Sequence, residues 1–373
     1  MRMWTRAVAV AVTVCAIGAL SSGPSLTASN GARPPRLEFL GEAIVPTGTT
    51  FQGTTIGGLS SITYDPALGV FYSLSDDQSV LQPARFYTLR IDVADGRLDD
   101  GDVEFLDVTT LLAPDGQPYP ASSFDPEGFT LAKSGEFIVT SEGIANRNIA
   151  PWVRRYDRDG TYLGDLFVPE AFTALSPGTH GVRQNLAFEA AAVAPDGRHL
   201  FVGMEGALFQ DGPAATVNDR SPARVLRYNL ATRNLDRQYV YVTDTVVETP
   251  VPPTAFSVNG LVELLPFNTQ FMLAMERSFS VGVPGTGNKI KLFSIAVPGA
   301  DNVNGLDSIA GRTVRTVAKT LLLDLDVLGI PLDNIEGMVI GPDLPDGRRS
   351  LILVSDNNFA ASQFTQFLAF AIW

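Results

Sequence analysis

The chain has 373 residues, with 34 Gly, 25 Pro, one Cys and a formal net charge of −13. This acidity argues against nucleic acid as a partner, because binding to a phosphate backbone requires a basic surface. A single Cys provides neither a disulfide within the chain nor the ligands of a thiolate metal site.

The first 32 residues have the pattern of a secretory signal. Two arginines, Arg2 and Arg6, lead into the apolar stretch 7–20, and small and polar residues follow over 21–32. The apolar stretch is shorter than an ordinary membrane anchor, so we expect a signal peptide over residues 1–32. Cys15 lies within it, and no later stretch is long and apolar enough to span a membrane. We therefore expect residues 33–373 to form a secreted, soluble, monomeric protein without a thiol.

Turn signals are spread along the whole chain. Runs of β-branched and aromatic residues recur between turns such as Asp95-Gly96 and Asp346-Gly347, which predicts an all-β domain. The two segments that could form short helices, 169–175 and 317–328, suit strands equally well.

Five segments of the chain share one design. Each opens on Gly or Glu-Gly, passes through a turn into a second hydrophobic strand, and closes on a carboxylate. The segments span residues 57–77, 125–143, 187–206, 259–277 and 334–358. Their closing carboxylates are Asp76, Glu142, Glu205, Glu276 and Asp356, spaced 63 to 80 residues apart. Such recurrence is typical of a repeat architecture.

Further pairs of strand-like runs follow the first three hairpins, at 86–108, 152–168 and 224–242. Two strands plus two strands make a four-stranded antiparallel unit, which is one propeller blade. We therefore predict a single five-bladed β-propeller. The fifth unit has only three strands, the last at 367–373, and we expect residues 36–45 to supply its fourth and close the ring. A six-bladed ring is the alternative, because the long connections at 109–124, 169–186, 207–223 and 297–314 leave room for more strands.

Hairpin geometry predicts where the carboxylates lie. The first residue of one strand and the last residue of the next lie at the same end of a hairpin. This places three pairs on one rim: Glu127 with Glu142, Glu189 with Glu205, and Glu336 with Asp356. Asp76 with Asp77, and Glu276, add closing acids from the units that open on Gly58 and Gly260. If the first strand of each unit is innermost, this rim surrounds the mouth of the central channel.

So many like charges at one rim need a positive partner. Calcium takes six to eight oxygen ligands, and the neighbouring amides that could add to them are Asn185, Asn259, Asn334, Asn357 and Asn358. Zinc is disfavoured, since only His180 and His199 are available. Ion pairs are the competing explanation, with the basic candidates Arg85, Arg154, Arg224, Arg277 and Lys289.

Three stretches, DPEGFTL, FEAAAVAPDGRHLFVGMEG and NIEGMVIGPD with LILVSDNNF, resemble the family described as "esterase-like activity of phytase". The resemblance extends from about Leu40 to the C-terminus. It implies a propeller-like domain that hydrolyses phosphate esters through signature acids, matched here by Asp76, Glu127, Glu142, Glu189, Glu205, Glu276, Glu336 and Asp356.

The leading hypothesis is thus a calcium-dependent hydrolase of small phosphate mono- or diesters. In this hypothesis the opening acids Glu127, Glu189 and Glu336 are the catalytic candidates, one of them as general base. The closing acids Asp76, Glu142, Glu205, Glu276 and Asp356 are the metal ligands, and Arg277 and Lys289 contact phosphate oxygens. Two alternatives stay open: a non-catalytic binding propeller stiffened by metal, and a calcium-dependent lactonase or carboxylic ester hydrolase.

Overall fold

A computed structural model describes residues 35–174 and 178–373. The predicted signal peptide lies outside the described residues. The described chain forms 22 strands and three 3-10 helices of three or four residues, at Ala145–Arg147, Glu170–Phe172 and Leu325–Leu328. Within these ranges, no helix has the length and apolar character needed to cross a membrane.

The chain opens with strand β1 (Leu37–Val45) and a small hairpin of β2 (Thr50–Phe51) and β3 (Thr54–Thr55). Three four-stranded antiparallel sheets follow in chain order. Blade 1 contains β4 (Leu59–Asp65), β5 (Val70–Ser75), β6 (Arg85–Ile91) and β7 (Val103–Thr110). Blade 2 contains β8 (Pro126–Leu131), β9 (Phe137–Ser141), β10 (Trp152–Tyr156) and β11 (Tyr162–Leu166). Blade 3 contains β12 (Phe188–Val193), β13 (His199–Met204), β14 (Pro222–Asn229) and β15 (Asn234–Val242).

Two further sheets complete the ring. Blade 4 contains β16 (Ser257–Pro266), β17 (Phe271–Ser280), β18 (Asn288–Ala296) and β19 (Ala318–Asp324). Blade 5 contains β20 (Asn334–Asp343), β21 (Arg349–Asp356) and β22 (Thr365–Ile372), with β1 as its outer strand. The fold is therefore the predicted five-bladed propeller.

The two ends of the chain close the ring. β1 pairs antiparallel with β22, from Leu37 opposite Ile372 to Val45 opposite Thr365. The first strands of the blades, β4, β8, β12, β16 and β20, pack against one another in sequence, and β20 packs back against β4. They form the inner wall of the ring, so the predicted closure and the predicted inner position of the first strands are both confirmed. Pairing with β1 covers the edge of β22 that would otherwise be open.

The six-bladed alternative is wrong, because the described parts of the long connections contain no additional blade. The connection after β18 instead packs beneath blade 3. There the buried Arg224 donates hydrogen bonds to Asp211 and to the carbonyl of Leu306, and the N–H of Ile309 donates to Asp211. These contacts give the connection a structural role between blades 3 and 4.

The hairpin turns at the far end of the blades follow from short sequence signals. In the turns before β13 and β21, Asp196 and Asp346 accept hydrogen bonds from the N–H groups of Arg198 and Arg348, at 2.8 and 3.0 Å. Gly197 in the first turn has a positive φ of 68°, a conformation that costs glycine little. Each turn reverses the chain, so the first strand of the hairpin begins and the second strand ends at the opposite end of the ring.

The blades are held together by apolar packing between neighbouring sheets. Between blades 1 and 2, the buried rings of Phe86, Phe129 and Phe137 lie 4.8 to 5.3 Å apart. Nearer the axis the inner strands approach so closely that a Cβ at Gly128 would lie 2.6 Å from the carbonyl oxygen of Glu189. The inner wall is therefore rigid, and it fixes the positions of the side chains at its rim.

Candidate functional site

Each inner strand carries a β-bulge, which lies within the first three residues in blades 1, 2, 3 and 5 and at the sixth residue in blade 4. In blade 3, Phe188 pairs with Met204 and Ala190 pairs with Gly203, so Glu189 is the extra residue. The corresponding bulged residues of the other blades are Ser60, Glu127, Val262 and Glu336. A bulge redirects a side chain and bends its strand. Here it aims a side chain at the channel mouth in three of the five blades.

The second strand of each blade ends beside the bulge. In blade 3, Met204 pairs with Phe188 just before the bulge, and the next residue is Glu205. The equivalent residues of blades 1, 2, 4 and 5 are Asp76, Glu142, Arg277 and Asp356. Because both positions lie at the same end of the hairpin, the two sets surround one opening.

These side chains line a cavity of about 730 Å³ at the channel mouth. Eight carboxylates face it: Asp76, Asp125, Glu127, Glu142, Glu189, Glu205, Glu336 and Asp356. Seven of them are acids that the sequence analysis selected. The eighth, Asp125, was missed, although the sequence Asp-Pro-Glu-Gly places it just before the opening Glu127. Its Oδ1 accepts a hydrogen bond from Gln78 at 2.6 Å.

Two overlapping groups of carboxylates have the spacing of a metal site. Asp125, Glu127 and Glu142 form one triad, and Glu142, Glu189 and Glu205 form the other, each with oxygens that lie within 4.8 Å of one another. Glu142 belongs to both. All donors are carboxylate oxygens, which suits a hard divalent cation.

Two buried carboxylate oxygens without a hydrogen bond also indicate a cation site in the cavity. Oδ1 of Asp76 and Oε1 of Glu205 are buried and accept no hydrogen bond from the described residues, although Nη2 of Arg277 lies 3.4 Å from Oε1 of Glu205. A buried polar atom without a partner carries a desolvation cost that a bound ligand can remove. The residues of the cavity therefore fit a divalent cation.

Burial in this cavity raises the pKa of all eight carboxyls above their ordinary values. The pKa rises to about 6 for Asp125, about 7 for Glu205 and about 8 for Asp356. Mutual repulsion adds to burial: Glu189 raises the pKa of Glu127, and Asp356 raises that of Asp76. Positive charge in the cavity would oppose this rise.

Arg277 is the one basic side chain lining the cavity in the described part of the chain. Its Nη2 lies 2.9 Å from Oε1 of Glu336 and 3.4 Å from Oε1 of Glu205. Burial lowers the pKa of the guanidinium, but Glu205, Glu336 and Glu189 more than reverse this, so the pKa is raised overall. One guanidinium faces eight carboxylates, which leaves the cavity strongly acidic.

Glu276 lies outside the cavity, in contrast to its predicted place in the ring of metal ligands. Its Oε1 accepts hydrogen bonds from Tyr241 at 2.6 Å and from Lys319 at 2.5 Å. Successive side chains of a strand point to opposite faces. Since Arg277 faces the cavity, its neighbour Glu276 points to the other face of the sheet, where it meets Tyr241 of blade 3.

Lys289 also lies outside the cavity, where its Nζ contacts Asp326 at 2.7 Å and Glu248 at 3.4 Å. The structure therefore does not bring Lys289 together with the carboxylates and Arg277 that line the cavity. The other basic candidates form ion pairs elsewhere: Arg85 with Asp77, Arg154 with Asp165, and Arg224 with Asp211. These pairs lie within the blades, so among the basic candidates only Arg277 compensates charge of the cavity carboxylates.

A further buried acid, Glu263, lies on the inner strand of blade 4. It accepts hydrogen bonds from its neighbour Leu264 N–H at 2.8 Å and from the Ser61 hydroxyl of blade 1 at 3.3 Å. Burial raises its pKa well above the ordinary value. The repeat pattern of the sequence did not select Glu263, because this residue lies one position after the bulge at Val262.

The family comparison matches the model described as "Phytase-like: Esterase-like activity of phytase" over residues 54–359. The chain belongs to the phytase-like family. The match covers all of blades 1 to 4 and the first two strands of blade 5. It includes every carboxylate of the cavity, and the description names a hydrolytic activity.

Individual relatives of this phytase-like chain are distant. An uncharacterized secreted protein of Arthroderma benhamiae is 27% identical over 151 residues, which cover 34% of this chain and 28% of the relative. The chain thus matches little more than a quarter of that protein's length.

Two of the similar solved structures are enzymes by their names. An endo-arabinase of Bacteroides thetaiotaomicron is 12% identical, with 88% of this chain and 97% of that chain covered and a TM-score of 0.43. A periplasmic gluconolactonase of Pseudomonas aeruginosa is 14% identical, with 85% and 86% covered and a TM-score of 0.35. At such identities and TM-scores the likeness carries no information on substrate.

Proposed function

We propose that this chain is a secreted, calcium-dependent hydrolase of phosphate esters that acts at the carboxylate cavity. One observation carries the proposal: two overlapping carboxylate triads and a single guanidinium meet in one cavity of about 730 Å³. Membership of the phytase-like family supports a hydrolase. The predicted signal peptide and the secreted relative support an extracytoplasmic location.

The two triads are the proposed cation sites. Asp125, Glu127, Glu142, Glu189 and Glu205 would hold the ions, and their all-oxygen donor set favours calcium. When bound, a divalent cation would offset the carboxylate charge and polarise a phosphoryl oxygen. This assignment gives Glu127 and Glu189 a ligand role in place of the catalytic role that the sequence suggested.

Arg277 is the proposed anchor for the phosphate group. Its guanidinium borders the cavity between Glu336 and Glu205, and it can present paired N–H donors to two phosphoryl oxygens. The carboxylates around it keep it protonated and oriented. It is the only basic contact that we propose, since Lys289 is held by Asp326 outside the cavity.

Glu336 and Asp356 are the proposed base and acid. Nδ2 of Asn334 donates to both, at 2.9 Å to Glu336 and 3.1 Å to Asp356, and so holds them side by side. Burial raises the pKa of Glu336, but the adjacent Arg277 opposes the rise, whereas burial and Glu336 raise the pKa of Asp356 to about 8. Two neighbouring carboxyls with separated pKa values suit opposite roles.

In the proposed reaction Glu336 accepts a proton from the water that attacks phosphorus. The new phosphorus–oxygen bond forms as the bond to the leaving alcohol breaks. Asp356 donates a proton to the leaving oxygen, and the two carboxyls exchange protons with solvent before the next turnover. Proton transfer by one positioned side chain contributes about 10²- to 10⁴-fold to the rate.

The test is an activity panel on the full secreted chain with calcium, after chelation, and after calcium is restored. The substrates are p-nitrophenyl phosphate, bis-p-nitrophenyl phosphate, glycerol phosphate, phytate and a δ-lactone. We expect hydrolysis of a phosphate ester that chelation abolishes and calcium restores. Glu336→Gln should lower kcat by about 100-fold or more, whereas Glu104→Gln, an exposed surface acid paired with Arg90, should leave it unchanged. Folded protein that hydrolyses only the lactone, or none of these compounds, would contradict the proposal.

A further inference from the structure

Blade 4 departs from the acidic pattern of the other blades. At the bulge it carries Val262 where blades 2, 3 and 5 carry Glu, and at the closing position it carries Arg277 where all the other blades carry an acid. Blade 4 therefore contributes no carboxylate to the cavity lining of the described chain.

The same blade supplies an apolar wall to the cavity. The side chains of Phe256, Val258 and Phe279 line it, and the rings of Phe256 and Phe279 lie 6.2 Å apart. Phe256 is 64% exposed. A large aromatic side chain held open to solvent beside a polar cavity is a feature of ligand sites.

Backbone hydrogen bonds join two further apolar residues to the segment that carries Phe256. The N–H of Val281 donates to the carbonyl of Phe256, and the N–H of Val251 donates to the carbonyl of Val281. Val251 and Val281 are themselves 59% and 38% exposed. Val281 directly follows β17, so these partly exposed valines lie on the chain segments that are hydrogen-bonded beside Phe256.

The charge of the cavity limits the charge of its ligand. Eight carboxylates and one guanidinium leave seven formal negative charges when all are ionised. Two divalent cations still leave the cavity acidic. A ligand with many negative charges would meet strong repulsion and only one arginine.

From the apolar wall and this charge balance we propose that the substrate is a phosphodiester with one negative charge and an apolar aryl or alkyl substituent. The phosphoryl group lies at Arg277, and the substituent packs on Phe256 and Phe279. The proposal rests on the proposed function and narrows it, because it disfavours inositol polyphosphates. The cavity volume of about 730 Å³ accommodates both parts of such a molecule.

Binding of non-hydrolysable ligands tests the wall independently of turnover. Methylphenylphosphinate and dimethylphosphinate each carry one negative charge, contain no ester bond and differ only in one apolar group. Their affinities are measured by isothermal titration calorimetry on the full chain with calcium. We expect the phenyl ligand to bind about tenfold more tightly, a difference of about 1.4 kcal/mol, and inositol hexakisphosphate to bind no more tightly than the methyl ligand.

Two variants locate the effect on blade 4. Phe256→Ala and Phe279→Ala should each reduce the phenyl-to-methyl affinity ratio toward one. Phe167→Ala is the matched control, since Phe167 is 66% exposed on blade 2 and should keep the wild-type ratio. Equal affinities in the wild-type protein, a ratio that survives both substitutions, or tightest binding of inositol hexakisphosphate would overturn the proposal. A preserved ratio without hydrolysis of any ester would reject the proposed function and leave the apolar site standing.

Discussion

Glu142 is the carboxylate common to both triads, so Glu142→Gln perturbs both proposed cation sites at once. The amide oxygen keeps an acceptor for the N–H of Ala187, which Glu142 binds in the folded protein. A cation at about 100 times its Kd stabilises a folded protein by about 2.7 kcal/mol. With an unfolding entropy of about 2.1 cal/mol/K per residue, each kcal/mol moves the Tm of so long a chain by about 1.4 °C. Two calcium ions should raise the wild-type Tm by about 8 °C, and the variant should lose most of that rise.

In the absence of calcium the same substitution should stabilise the protein. Two ionised carboxylates whose oxygens lie at the 4.8 Å limit of the triads would repel by about 3 kcal/mol at an effective dielectric constant of about 20. Burial raises the pKa of Glu142, so partial protonation reduces this cost and the figure is an upper limit. Removing one such charge should raise the Tm by up to about 5 °C. The variant is thus expected to be more stable than wild type without calcium and less stable with it.

Glu276→Gln is the matched control, because Glu276 belongs to the same sequence repeat but binds Lys319 outside the cavity. Loss of a buried partner costs about 3 kcal/mol or more, which should lower the Tm by about 4 °C with or without calcium. Differential scanning calorimetry of chelated and calcium-loaded samples measures all three proteins. The reasoning is refuted if Glu142→Gln keeps the full calcium response, or if folded wild-type protein shows none.

Two other predictions concern the scaffold. The raised pKa of Glu263 means that the folded protein retains this proton. The contribution of Glu263 to the free energy of unfolding is therefore greatest below the pKa of an ordinary carboxyl, and it is lost as the pH rises through the raised pKa. The Tm of Glu263→Gln should therefore exceed that of wild type by a margin that grows as the pH rises above about 5, and parallel curves in a calorimetric pH series would reject this. Deletion of residues 35–45 should expose the edge of β22 and produce aggregates in size-exclusion chromatography. A monomer with the wild-type Tm would show that β1 is dispensable.

Much of the fold could be predicted from sequence because its determinants are local. Apolar runs separated by short turn signals, Asp-Gly in blades 3 and 5, define each hairpin within about 20 residues. The recurrence of five such hairpins predicted five blades, and the three-stranded fifth unit predicted closure by residues 36–45. Hairpin geometry also predicted that Glu127 and Glu142, or Glu189 and Glu205, lie at one rim.

The errors arose where register decides the outcome. Counting to the last acid of the blade 4 repeat selected Glu276, but the bulge at Val262 sets the pairing so that Arg277 faces the cavity. A shift of one residue reverses the face of a strand. Asp125 was missed because it precedes its strand, and only the packing of blade 2 turns it inward.

The amino-acid sequence by itself determined the blades and the rim that holds most of the acids, since both depend on contacts between residues close along the chain. The closing strand could be predicted although β1 and β22 are distant in sequence, because the fifth repeat lacks one strand. Tertiary structure alone decided which of those acids meet. Glu142 joins Glu189 and Glu205 of the next blade, and Arg277 reaches Glu336 of another, across separations of 45 residues or more. Such contacts depend on strand register and on how neighbouring blades pack, and neither leaves a local signal in the sequence.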